Sequence, residues 1–194
     1  MNFVSQSQAG QDVFCNHVIP VNNGMFVDIG CGHPIEKNNT YALEQIGWSG
    51  FLIDGNSDVE ALCRELRVSP MAHADARSYD WSWQSKIYLC VDYASVDVDE
   101  HTNAALVNLL SFPWSFRVLT IEHDAYLRGD RLRVPNRELM KSRGYDLLCA
   151  DVHDNGCCFE DWYVHPLLVD MTLAEPFRSS GLDWKEVLKK GGSL

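Results

Sequence analysis

Apolar and polar positions alternate along the chain in short blocks. Residues 24–30, GMFVDIG, are an apolar run closed by glycine, which predicts a buried strand. Residues 35–46 predict a helix with Tyr41, Ala42, Leu43 and Ile46 on its apolar face. Gly47-Trp48-Ser49-Gly50 reads as a turn, and residues 51–53 as a short buried strand that stops at Asp54. Ser57-Asp58-Val59-Glu60 has capping-box spacing and opens a helix running to Arg67. Residues 71–74 form a third strand ended by Asp75.

The second half keeps the rhythm. Strands are predicted over 92–98, 117–121, 145–150 and 157–168, and helices over 102–110 and 137–143. Gly144 follows the last helix as a natural C′ glycine. Asp154-Asn155-Gly156 is a hairpin turn, so the final strand runs antiparallel to the one before it. The expected fold is α/β: a doubly wound, mostly parallel Rossmann-like sheet of about seven strands, with an antiparallel last strand in a hairpin at one edge. The chain of 194 residues has room for one domain. Residues 1–23 are expected to pack over a ligand site as an N-terminal extension. Residues 183–194 read as a C-terminal tail, frayed at Gly191-Gly192.

Ligands of such sheets bind beyond the carboxyl ends of the strands. Here those ends carry Asp28, Asp54, Asp75, Asp97 with Asp99, and Glu122-His123. Carboxylates at five strand ends predict a shared acidic pocket. After the first strand, Gly30-Cys31-Gly32 permits close backbone approach to a ligand. Asp54 is placed to accept hydrogen bonds from a ribose diol, and Asp75-Ala76 to meet an adenine amino group.

Charge narrows the partners. Lys and Arg total 16 against 27 Asp and Glu, a net charge of −11. Nucleic acid and anionic membranes are therefore excluded as expected partners. No run approaches the roughly 18 apolar residues of a membrane span, and residues 1–12 do not read as a signal peptide. Seven cysteines without a CxxC suggest buried thiols in a reducing, cytoplasmic setting. NAD carries a pyrophosphate that acids would repel, and the third glycine of GxGxxG is missing. S-adenosylmethionine carries a sulfonium and an ammonium, which acids attract.

Six segments in order then carry a family resemblance. They are Ser7-Gln8-Ala9-Gly10-Gln11-Asp12; residues 26–30 with His33-Pro34 and Asn39-Thr40-Tyr41; and Gly47-Trp48-Ser49-Gly50 with Ile53-Asp54. They continue with residues 92–99, Ile121-Glu122-His123 and Gly144-Tyr145. Together they resemble the FkbM-type class I S-adenosylmethionine-dependent methyltransferases. Glu100 and Cys31 depart from the family pattern, which has glycine and commonly alanine there.

The resemblance implies O-methylation of a hydroxyl on a sugar, glycan or small natural product. Gln11 would close over the methionine end of the cofactor, with Asp28, Gly30, Cys31, Gly32, Asp54, Asp75, Ala76 and Asp97 completing its site. Asp97, Asp99 and His123 are the candidate catalytic residues, His123 as general base. Asp97, Asp99, Glu122, His123 and His33 together would suit a divalent ion, but no HxxxH or EF-hand spacing supports one and no metal is assigned. The alternatives are an S-adenosylmethionine-binding partner protein without catalysis, and an NAD-dependent oxidoreductase.

Overall fold

A computed structural model describes residues 3–193. Within them one sheet is built from β1 (Met25–Ile29), β2 (Ser49–Asp54), β3 (Met71–His73), β4 (Cys90–Val96), β5 (Ser115–Glu122), β6 (Asp146–Asp154), β7 (Cys157–Val164) and β8 (Ser179–Ser180). The order across the sheet is β3-β2-β1-β4-β5-β7-β6-β8. β1 through β5 pair in parallel, and β7 pairs antiparallel with both β5 and β6. The antiparallel strand is thus inserted between β5 and β6 rather than left at an edge. The turn that joins β6 to β7 holds Asn155 at φ 51° and Gly156 at φ 81°, the double left-handed pair of a tight hairpin.

Alternation along the strands divides the core. Phe26, Leu52, Tyr93, Val118 and Trp162 face one side, under α1 (Gln11–Val18) and α2 (Tyr41–Gln45). Val27, Ile29, Ile53, Val96 and Ile121 face the other. The remaining helices are α3 (Ser57–Leu66), α4 (Ser82–Ile87), α5 (Thr102–Leu109), α6 (Ala125–Arg128), α7 (Asp130–Ser142), α8 (Met171–Ala174) and α9 (Trp184–Lys190). Among the described residues, no helix is long and apolar enough to cross a membrane.

Three elements differ from the sequence expectation for identifiable reasons. The helix expected over 35–46 shrinks to α2. Lys37 takes φ 55°, and Asn38 Oδ1 accepts the backbone N–H groups of Thr40 (3.0 Å) and Tyr41 (2.8 Å), competing with helical pairing. α3 is capped by Asn56, whose Oδ1 accepts the Asp58 N–H at 2.9 Å, so Ser57 lies inside the helix. The expected tail forms α9. Asp183 caps it by accepting from the Lys185 N–H, and Val187 and Leu188 are fully buried. A Cβ on Gly10 would lie 2.5 Å from Leu188 Cδ1, so glycine is what lets α9 close against the start of α1.

Leu188→Ala tests that packing. Removing a fully buried leucine should lower unfolding free energy by about 2–5 kcal/mol in urea titration. A frayed tail would give a change inside about 0.5 kcal/mol.

Candidate functional site

The site begins where β1 ends. Gly30 takes φ 74°, and a Cβ there would lie 1.6 Å from the Asp97 carbonyl oxygen, so no side chain fits. The Asp97 N–H donates to the Ile29 carbonyl at 2.9 Å, and the Gly30 N–H to the Ile53 carbonyl at 2.8 Å. The glycine loop is thereby held between the ends of β4 and β2. The Gly32 N–H donates to Asp54 Oδ2 at 3.0 Å, and Asp54 Oδ1 accepts the Asn56 N–H at 2.9 Å. Each Asp54 oxygen keeps acceptor capacity beyond those bonds.

Beyond this loop opens a cavity of about 640 Å³. Gly30, Gly32, Asp54, Asp75 and Ala76 line one side. Asp97, Asp99 and Glu122 line another, and His73, Arg77 and His101, which the sequence reading left without a role, complete the wall. Parallel strand ends explain why residues so far apart in sequence meet here.

Asp97 and Glu122 stand at the ends of neighbouring strands and their carboxyl groups are hydrogen-bonded. Burial raises both pKa values, and for Glu122 the bond to Asp97 and the Asp97 charge push further upward. Asp124 also bonds Glu122 and raises it. Two buried carboxyl groups in contact resist carrying two charges, so the pair favours sharing a proton. Sequence reasoning saw Glu122 as a strand-end acid and a candidate metal ligand, not as the partner of Asp97. Its pairing follows from β4–β5 register, which no local motif encodes.

Other expected residues lie elsewhere. Asp28 is buried beneath the loop and does not line the cavity. It accepts Thr40 Oγ1–H at 2.7 Å, while burial raises its pKa to about 6 against the opposing pull of Thr40 and Arg67. Arg67 is the buried cation of this layer. It donates to Glu44 Oε2 (2.9 Å), Asn38 Oδ1 (3.1 Å), Thr40 Oγ1 (3.1 Å) and the Pro34 carbonyl (3.2 Å). Cys31 is also buried, with Sγ 3.9 Å from Met71 Sδ, and offers the loop only its backbone. Asp75 reaches the cavity, but Arg77 grips its carboxylate through Nε and Nη2, holding its pKa down to about 2. Asp99 takes φ 48° and is exposed, 3.7 Å from Arg128 Nη2.

His123 corrects the assignment of a general base. Strand alternation turns it away from Glu122 to the opposite face, where it is 1% exposed. Nδ1 accepts the Ala125 N–H at 3.1 Å, which leaves the proton on Nε2, 3.4 Å from Asp161 Oδ1. Arg137 binds Asp161 through Nε and Nη2, both at 2.7 Å. Burial raises Asp161, but Arg137 and His123 outweigh it and keep the carboxyl charged far below its usual range. An Asp151 carboxylate oxygen and the Cys158 Sγ lie within 4.8 Å of a ring nitrogen of His123. Arg133 and Arg137 already donate to Asp151 Oδ1, and Arg137 to Asp161, so these residues form an ion network rather than an open metal site. His33 is likewise removed from the acids, its Nδ1 accepting the Glu36 N–H at 3.0 Å.

Gln11 does not line the cavity. It is buried, accepting the Ala9 N–H at 2.8 Å and donating to Glu160 Oε2 at 3.1 Å. Glu160 also accepts from Trp162 Nε1. Burial raises Glu160 to about 8, ahead of the lowering by Trp162.

No protein-family model and no curated protein matches the sequence. Solved structures do match. An O-methyltransferase from Bacillus cereus in complex with S-adenosylhomocysteine aligns over 84% of each chain at 13% identity, TM-score 0.58. A TehB-like SAM-dependent methyltransferase from Corynebacterium glutamicum covers 82% of this chain and 89% of its own at 15% identity, TM-score 0.56. An rRNA methylase from Streptococcus thermophilus covers 85% and 99% at 10% identity, TM-score 0.54. The chain has the mixed α/β fold of class I methyltransferases.

The raised Glu160 pKa sets a pH dependence. Between its usual value and about 8, the unfolded chain releases a proton that the folded chain keeps. Stability should therefore fall as pH rises through this window, with a slope of at most about 1.4 kcal/mol per pH unit from this group. Glu160→Gln should flatten that part of the curve in denaturant titrations from pH 5 to 9. An unchanged slope would place the titration on another group.

Proposed function

We propose that the chain is an S-adenosylmethionine-dependent methyltransferase of the FkbM-like type, acting on a hydroxyl of a small molecule or glycan. One observation carries this reading. The cavity at the carboxyl ends of β1, β2, β4 and β5 combines a glycine loop with carboxylates, in a fold shared with methyltransferases. Its volume lies in the range of cofactor sites. Asp54 offers two carboxylate oxygens toward a ribose diol, and the acidic wall favours a cofactor that is a sulfonium and an ammonium. The same wall disfavours the pyrophosphate of NAD. The net charge of −11 argues against an RNA acceptor, unlike the methylase of S. thermophilus.

S-adenosylmethionine, when bound, supplies an electrophilic methyl group whose leaving group is already activated. The residues then have to align the acceptor, exclude water and take one proton. Asp97 is positioned to take it. Asp97 lines the cavity, and a proton shared with Glu122 would keep the pair from carrying two charges. Asp97 would hold the acceptor hydroxyl and take its proton.

Calorimetry should show micromolar-scale binding of S-adenosylhomocysteine, about −8 kcal/mol, and none of NAD. Asp54→Ala should weaken that binding by roughly 2–4 kcal/mol. The opposite preference, NAD over S-adenosylhomocysteine, would reject the reading.

Turnover with labelled donor separates the base from its neighbours. Asp97→Asn should cut turnover by about 10²–10⁴. Glu122→Gln preserves the Asp97 charge and the bond to it, and should retain most activity. His123→Ala should lower the melting temperature and leave the turnover of folded enzyme near that of the parent. A protein that binds the product but turns over no hydroxylated acceptor would be a binding partner without catalysis.

A further inference from the structure

Two cysteines that the mechanism does not use meet beneath the glycine loop. Cys31 stands in the loop between Gly30 and Gly32, and Cys63 is the one residue of α3 that is buried. Both thiols are free, and both belong to the core on the α1 side of the sheet. Their side chains are hydrogen-bonded to each other. That bond lowers the pKa of the Cys63 thiol against the effect of burial, and the Arg67 charge lowers it further. Cys31 keeps its proton, held by the same bond and by burial. A thiol of thiolate character with a second thiol in contact is the arrangement that oxidises to a disulfide.

The two ends of this contact are held unequally. On α3, the Cys63 carbonyl accepts the Arg67 N–H at 2.9 Å, and the Arg67 side chain is fixed by Glu44, Asn38, Thr40 and Pro34. Cys63 is therefore the fixed end. In the loop, Gly30 is pinned against the Asp97 carbonyl, whereas a Cβ on Gly32 would meet nothing within 4 Å. The Gly32 end is thus the one with room to move, and its N–H is the one that bonds Asp54. A covalent S–S bond is shorter than a hydrogen-bonded contact between sulfurs, so closing it draws the loop toward α3.

We propose that Cys31 and Cys63 form a redox switch on the cofactor cavity: a hydroperoxide joins them as a disulfide, which pulls the Gly32 N–H off Asp54 and weakens cofactor binding. The effect on the cofactor rests on the methyltransferase reading, whereas the disulfide and the loop movement do not. The Cys63 thiolate attacks one peroxide oxygen, forming S–O as O–O breaks, and the leaving oxygen takes up a proton. The Cys31 sulfur then attacks the Cys63 sulfenic acid, forming S–S as S–O breaks, and the hydroxyl leaves with the Cys31 proton as water. The two sulfurs lose two electrons and the peroxide gains them. A water-sized peroxide approaches from the Cys31 side, where 6% of that residue's surface is exposed against none for Cys63.

The test oxidises the full chain with hydrogen peroxide. Peptide mapping after thiol blocking should give a Cys31–Cys63 cross-linked peptide. By NMR, the Gly32 amide should exchange with solvent at least ten-fold faster in the oxidised chain. S-adenosylhomocysteine should bind at least ten-fold more weakly, and a dithiol reductant should restore both properties. Cys63→Ala and Cys63→Ser should bind S-adenosylhomocysteine like the parent when reduced, and should show neither change after peroxide. Absence of the Cys31–Cys63 peptide overturns the switch, as does its formation with an unmoved Gly32 amide or an unchanged affinity. A response that persists in both variants assigns the oxidation to other cysteines and overturns it equally. Failure of the reduced chain to bind S-adenosylhomocysteine overturns the methyltransferase reading instead, and the peptide and the Gly32 amide then still decide the disulfide and the loop movement.

Discussion

Two backbones meeting without a side chain between them set the geometry of the site. Gly30 lies so close to the Asp97 carbonyl that the ends of β1 and β4 are effectively in contact. Once they are joined, the Asp97 side chain is delivered to the strand end beside Glu122. The same turn sends the Gly32 N–H to Asp54 and so ties in the end of β2. Three strand ends are fixed relative to one another by a few main-chain hydrogen bonds, and the carboxylates inherit their spacing from that frame.

Two buried ion networks support the frame, one on each face. Arg67 holds Glu44, Asn38 and Thr40 under the loop, and through Thr40 it reaches Asp28. Arg137, Asp161, Asp151 and His123 lock β5, β6, β7 and α7 together. In each network every charge has an opposite partner. Breaking either by removing one member leaves an uncompensated buried charge, at a cost of about 3–5 kcal/mol. The Asp97–Glu122 pair at the cavity is different. Burial raises both carboxyl groups, which is an arrangement for ligands and protons rather than for stability.

The fold class was legible because β2, β3, β4 and β5 announce themselves by apolar content and run into an acid, and this locates the cavity as well. Asp54, Asp75, Asp97 and Asp99 all reach it. What sequence pattern could not convey is direction. His123 and Glu122 are adjacent, and pleating alone sends one to the cavity and the other to the Asp161 network. Asp28 and Gln11 read as ligand groups from their motifs, whereas the network of Thr40 and the carboxyl of Glu160 claim them. Arg67 looks like an ordinary basic residue at the end of a helix, and only the packing of α3 against the loop reveals its burial. The position of β7 between β5 and β6 is likewise a long-range choice that a local hairpin signal leaves open.

The seam between the two ends of the chain bears on how the protein is made. Leu188 packs on Gly10, and Ser193 Oγ is within 2.7 Å of His17 Nδ1. α1 therefore lacks part of its cover until the residues of α9 have left the ribosome. Phe14 stacks on Trp162 and meets Phe177, so most of its neighbours also arrive late. During synthesis, the β1–β5 half can pair while one apolar face of the sheet stays open. The nascent chain thus carries an exposed hydrophobic surface until α9 has been made, and the packing of α9 and α1 then conceals it.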